Sequence, residues 1–238
     1  REKALLDVID GDPHSGAIRA NMLYAISQGV FKKITLASVS AEIRERLTMP
    51  LLSVERRTTV FTSATQDLLT PYGLRTLSPR DSHYKARYFT NDPPSVKDQA
   101  YHQGTAWPFL MGAYIDSLVQ VRQDEGVPIS VIRDEISTVL EPLIVYIMSN
   151  RYGSIDEVFD GGEQNAVYVI SSADNKVTWD PAMLSHQNPG GTSSQAWSVG
   201  EVLRVLVEYG ILDKPTSQPR SLSLSEPDTD PLPPLKSA

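Results

Sequence analysis

The chain has 238 residues, 40% of them hydrophobic and 21% charged, which suits a globular protein with one good core or two small ones. Its net charge of −7 argues against nucleic acid as a partner, because phosphates call for a basic surface. No apolar run approaches the roughly 20 residues that cross a bilayer, and the absence of cysteine excludes disulfides and thiolate sites, in keeping with a cytoplasmic setting.

The chain opens on Arg1-Glu2-Lys3-Ala4-Leu5-Leu6 without Met or a secretory signal, and reads like the interior of something longer. Residues 18–28 have apolar positions at helical spacing and end on Gly29, a C-cap candidate. Residues 38–69 read as one or two helices interrupted near Pro50, stopped by the turn Thr70-Pro71-Tyr72-Gly73. Residues 78–99, polar and holding Pro79, Pro93 and Pro94, read as a long loop, which is uncommon unless functional or disordered. A strong helical period runs from Trp107 to Arg122, with Pro108 in its first turn. A second long helix is predicted over 129–148, kinked at Pro142. A loop over 153–165 and an irregular stretch over 166–188 follow, with a short strand signal at 167–170. The last helix is predicted over 194–209, capped by Ser193 or Ser194. Residues 214–238 are rich in Pro and Ser, and are expected to form a disordered tail behind a folded unit over 1–213.

The expected fold is all-α, because helices alternate with long loops carrying the aromatic and acidic residues. A toroid of helical hairpins with function in its loops accounts for those lengths better than a bundle, whose connections usually span about 2–8 residues.

Tyr101-His102-Gln103-Gly104-Thr105-Ala106-Trp107-Pro108 is the densest cluster of binding chemistry. His102 and Gln103 can donate to and accept from sugar hydroxyls, and Trp107 offers a stacking face. The plainer reading makes Trp107 core and His102 a loop cap. Glu157 lies in a glycine-bounded loop after a long helix, beside Phe159, where a carboxylate could activate a water; Asp156 and Asp160 are its rivals. His14, His83, His102 and His186 are isolated, so no metal and no cofactor are expected.

Five blocks in order resemble the C-terminal domain of glycogen debranching enzymes, the amylo-α-1,6-glucosidase family. The first is Asp7 to Pro13 with Ile18-Arg19-Ala20-Asn21 and Ala25-Ile26-Ser27, and the second is Leu68 to Pro79. The third is Tyr101 to Pro108, the fourth Gly153 to Gly161, and the last Ser194 to Arg204. The resemblance implies a six-hairpin (α/α)6 toroid, similar to glucoamylases. It further implies inverting hydrolysis of α-1,6-linked glucose at branch points of glycogen or limit dextrin, often coupled to 4-α-glucanotransferase activity. Inversion needs an acid and a base whose carboxyls stand roughly 6.5–9.5 Å apart.

On that resemblance Glu157 becomes the base, and Arg19, Asn21, His102, Gln103 and Trp107 line a glucose pocket. Arg19 either holds a hydroxyl, orients a carboxylate through a forked contact, or makes a surface salt bridge. The family's Leu-Arg-Pro-Asn-Gln has Ala20 and Met22 here in place of Pro and Gln. Tyr72 and Arg75 read as turn anchors, and Trp197 as core. The family's acid, an Asp in a Thr-Trp-Met-Asp type segment, has no counterpart; Trp179-Asp180 comes after the base loop and is set aside. Residues 31–67 also exceed the family spacing, as an insertion or an altered hairpin. The chain is therefore expected to be the C-terminal part of the toroid, with the missing N-terminal half of the domain as its partner. A non-catalytic glucan-binding half-barrel is the alternative.

Overall fold

The computed structural model describes residues 5, 16–27, 51–89, 91–162, 168–170, 177–179 and 187–212. The predicted tail, the Gly29 cap and most of the long 31–67 spacer lie outside the described residues. Helices carry the core, and very short strands tie their ends together.

A 3₁₀ turn, Ala20–Ala25, stands where the sequence predicts a longer helix. Helix α1, Val54–Leu68, begins at Ser53, whose hydroxyl accepts the Arg56 amide at 3.3 Å. Thr58, Thr59, Ser63 and Thr65 return their hydroxyls to carbonyls four residues back, so this polar-rich helix leaves those side chains satisfied. Its inner face buries Val60, Phe61, Ala64 and Leu68. Arg57 is buried with them, paired to Asp124 at 2.7 Å and donating to the Leu52 carbonyl at 2.6 Å. A buried cation persists only where such partners replace water.

Strands β1, Leu69–Thr70, and β2, Gly73–Arg75, form a hairpin at the predicted turn. The segment read as a loop over 78–99 runs into a helix, α2, Pro94–Tyr101. Pro94 starts it, since a first-turn residue needs no amide donor. The predicted helix at Trp107 begins later. Trp107 belongs to strand β3, Ala106–Trp107, and a 3₁₀ turn, Pro108–Leu110, precedes α3, Met111–Asp124.

Helix α3 is buried on nearly every side because α1, α4 and α5 all pack on it. Helix α4, Ile129–Ser149, follows after residues 125–128 and packs back on α3 as a helical hairpin. Its buried stripe is Ile132, Ile136, Val139, Leu140 and Leu143, one face of a 3.6 period. Pro142 sits inside α4 and cannot donate to the Thr138 carbonyl. The Trp179 indole donates there instead at 3.1 Å, which satisfies the freed acceptor.

The loop predicted over 153–165 contains strand β4, Val158–Phe159. Strands β5, Tyr168–Ile170, and β6, Val177–Trp179, pair as a separate ribbon, matching the strand signal at 167–170. After β7, Pro189–Gly190, comes α5, Ala196–Glu208. The Ser193 or Ser194 cap is not used: Gln195 stands at the cap position and its side chain is engaged elsewhere.

The order β1-β2-β3-β4-β7 makes one antiparallel sheet. Ala106 faces Phe159, and Val158 faces Gly190. Arg75, buried in β2, donates to the Gly161 carbonyl at 2.6 Å and to that of Asp67 at 3.2 Å, the anchoring part expected of it. The predominantly helical expectation holds, with the addition that a five-stranded sheet of very short strands draws three distant loops to one place. Among the described residues no helix is long and apolar enough to cross a membrane.

Candidate functional site

The sheet sets three segments side by side: the end of α2, the loop before β4, and the Gly190–Gln195 stretch. Glu157 stands at their junction, half-buried. Its amide donates to the Thr192 carbonyl at 2.9 Å, and the Gln195 amide donates to that of Ile155 at 2.8 Å, so the backbones are stitched together.

Three donors hold the Glu157 carboxylate. The Tyr101 hydroxyl reaches Oε1 at 2.6 Å, and the Gln195 amide nitrogen reaches the same oxygen at 3.1 Å. The Thr192 backbone amide reaches Oε2, also at 3.1 Å. Gly191, in a left-handed conformation at φ +71°, lies flush against this side chain, and a Cβ there would land on the carboxylate. Burial, then the bond and charge of Glu157, push the Tyr101 phenol far above its ordinary range, so it stays a donor at any working pH. Burial and Glu157 act in the same direction on Tyr88.

The rival carboxylates are placed differently. Asp156 is 8% exposed and accepts a hydrogen bond from the Tyr146 hydroxyl. Asp160 is 3% exposed; its two oxygens accept the Tyr88 amide at 2.8 Å and the Asn188 side chain at 3.0 Å. Both carboxylates are buried and engaged within the protein.

Arg19, His102 and Gln103 come together. The Arg19 guanidinium donates to the His102 carbonyl at 2.7 Å, to Gln103 Oε1 at 3.0 Å and to the Thr76 carbonyl at 3.2 Å. It thus organises the His102-Gln103 segment, which continues into Tyr101 and the carboxylate. His102 is exposed and Gln103 half-buried. Asn21 stands exposed on the 3₁₀ turn beside Arg19.

Of the two readings of Trp107, its burial matches that of a core residue. It is 4% exposed, with its indole donating to the Tyr101 carbonyl and to Thr105 Oγ1, both at 3.1 Å. Its ring lies parallel to His102 at 5.9 Å and meets Tyr101 edge-on at 4.6 Å. It backs the site without facing it. Trp197, read from sequence as core, is instead 49% exposed and stacked on Phe109 at 4.8 Å. Tyr101, Thr192 and Gln195 were not tied to Glu157 by the sequence, since no local spacing links residues 35–56 positions apart. No group of three or more His, Asp or Glu that could hold a metal occurs among the described residues.

A family model described as amylo-alpha-1,6-glucosidase matches residues 38–204. The matched span contains Glu157 and each of its three donors, and leaves out Arg19 and Asn21. No curated protein matches the chain.

Proposed function

Because the chain belongs to the amylo-alpha-1,6-glucosidase family, we propose that it bears the water-activating side of a glycoside hydrolase site that releases α-1,6-linked glucose from branched α-glucan with inversion. The observation that carries this reading is the contrast among three neighbouring carboxylates. Glu157 is half-buried, oriented by three donors and backed by aromatic rings, whereas Asp156 and Asp160 are buried and engaged within the protein. A base needs orientation and access to a water, and of the three Glu157 combines them.

His102 and Gln103 supply polar contacts to the departing glucose, with Asn21 at the margin and Arg19 fixing the segment. Trp107 supports them from behind, and Trp197 with Phe109 provides the aromatic platform. The acid comes from a further part of the domain, because the sequence holds no segment of the family's Thr-Trp-Met-Asp type. Val199, Leu203 and Val207 stand exposed at every fourth position of α5, an apolar stripe suited to packing against additional helices of an (α/α)6 toroid. The natural polymer on this reading is glycogen or limit dextrin. The full protein pairs the site with 4-α-glucanotransferase activity, in a cytoplasmic setting that the cysteine-free sequence suits.

The test is the anomer first released. The full-length protein, given a branched limit dextrin and followed by proton NMR, is expected to release β-glucose before mutarotation mixes the anomers. α-Glucose as first product would contradict inversion. Tight glucan binding without turnover would favour the non-catalytic binding module.

A further inference from the structure

An ionised carboxylate has about four lone-pair sites, two on each oxygen. In Glu157 three are used, and unequally. Oε1 takes both the Tyr101 hydroxyl at 2.6 Å and the Gln195 amide at 3.1 Å, in partly buried bonds. Among the described residues Oε2 takes only the Thr192 amide, and that bond lies in the open. The remaining site is on Oε2, on the solvent side.

We infer that Oε2 of Glu157 is the oxygen that takes the proton from water, and that Tyr101 and Gln195 are positioning residues that occupy Oε1 and prevent the carboxylate from exchanging its two oxygens. This rests on the reading of Glu157 as base. In the step itself a water gives its proton to Oε2 while its oxygen forms the bond to the anomeric carbon. The glycosidic bond breaks at the same carbon, its oxygen taking a proton from the general acid. The proton on Glu157 then passes to solvent.

The geometry around the pair supports a fixed orientation. Tyr101 is wedged edge-on against Trp107 at 4.6 Å and tilted against Tyr88 at 5.7 Å, so its hydroxyl has little freedom. Gln195 is held through its backbone to Ile155, two residues before Glu157. Gly191 keeps the other side close enough for the Thr192 amide to reach Oε2. Tyr101 and Gln195 touch no substrate on this account; they act through the carboxylate.

The test uses the full-length protein with Tyr101→Phe and Gln195→Met, both of which keep the bulk of the side chain. For Tyr101→Phe, kcat on branched limit dextrin is expected to fall about 10- to 100-fold, the worth of a hydrogen bond to a charged group, with KM changed less than about twofold. Gln195→Met should show the same split with a smaller drop. A crystal structure with a non-hydrolysable branched oligosaccharide should place a water within about 3 Å of Oε2. An unchanged or raised kcat in Tyr101→Phe, or the water on Oε1, overturns the inference. Glu157→Gln separates the two levels: if it turns over at the wild-type rate, the base assignment itself fails. If it is inactive while Tyr101→Phe behaves as wild type, only the assignment of the oxygens fails.

Discussion

Replacing Glu157 by glutamine is expected to cut glucose release by about 10²- to 10⁴-fold, the range of general base assistance, while affinity for branched oligosaccharide changes little. The amide is nearly isosteric and can still accept from Tyr101 and Gln195 through its oxygen. What it loses is the basic site on the other side, where an NH₂ would face the Thr192 amide, donor against donor. Turnover measured on branched dextrin, with binding followed by calorimetry, separates the two effects. A loss of affinity equal to the loss of rate would mean that Glu157 grips the ground state instead of driving the chemical step.

Phe159→Ala is expected to cost about 3–5 kcal/mol of folding stability, among the larger single-site losses a core permits. Phe159 is fully buried, stacked on Tyr72 at 4.8 Å and met edge-on by Tyr146 at 5.0 Å. It also joins β4 to β3 and, alongside Val158, to β7, two positions from Glu157. Truncation removes ring contacts and leaves a cavity between strands too short to collapse into it. Chemical denaturation of the variant against wild type measures the cost, and Phe159→Leu should recover most of it. A loss below about 1 kcal/mol would mean that the sheet is not the support of the site, since surface changes cost that little.

The long helices were legible because their periods are long. Fourteen residues of α3 and twenty-one of α4 repeat an apolar face several times over, and Pro142 left the period intact. The sheet was not legible, because its strands are two or three residues long and cannot display an alternation. For the same reason Trp107 read as the first residue of a helix when it ends a strand. Helix α2 was hidden by Pro93 and Pro94, which spell a loop as readily as a helix start.

At the site, family resemblance pointed to the loop around Glu157 but left three carboxylates open within it. Their surroundings differ only in the tertiary structure, through partners far away in sequence: Tyr101 for Glu157, and Tyr88 for Asp160. The contrast between Trp107 and Trp197 has the same origin. Local spacing does not decide which face of an aromatic ring is covered, and here the covering groups come from α2 and the turn after β3.

The measurement that bears most directly on Glu157 as base is chemical rescue. Glu157→Ala in the full-length protein, checked for a wild-type unfolding transition, should release almost no glucose from branched dextrin. With sodium azide it should form β-glucosyl azide, because the small anion attacks from the face the activated water occupied and needs no base. A folded variant that azide does not rescue, or one that yields the α-azide, would contradict the assignment of Glu157 to that face of the sugar.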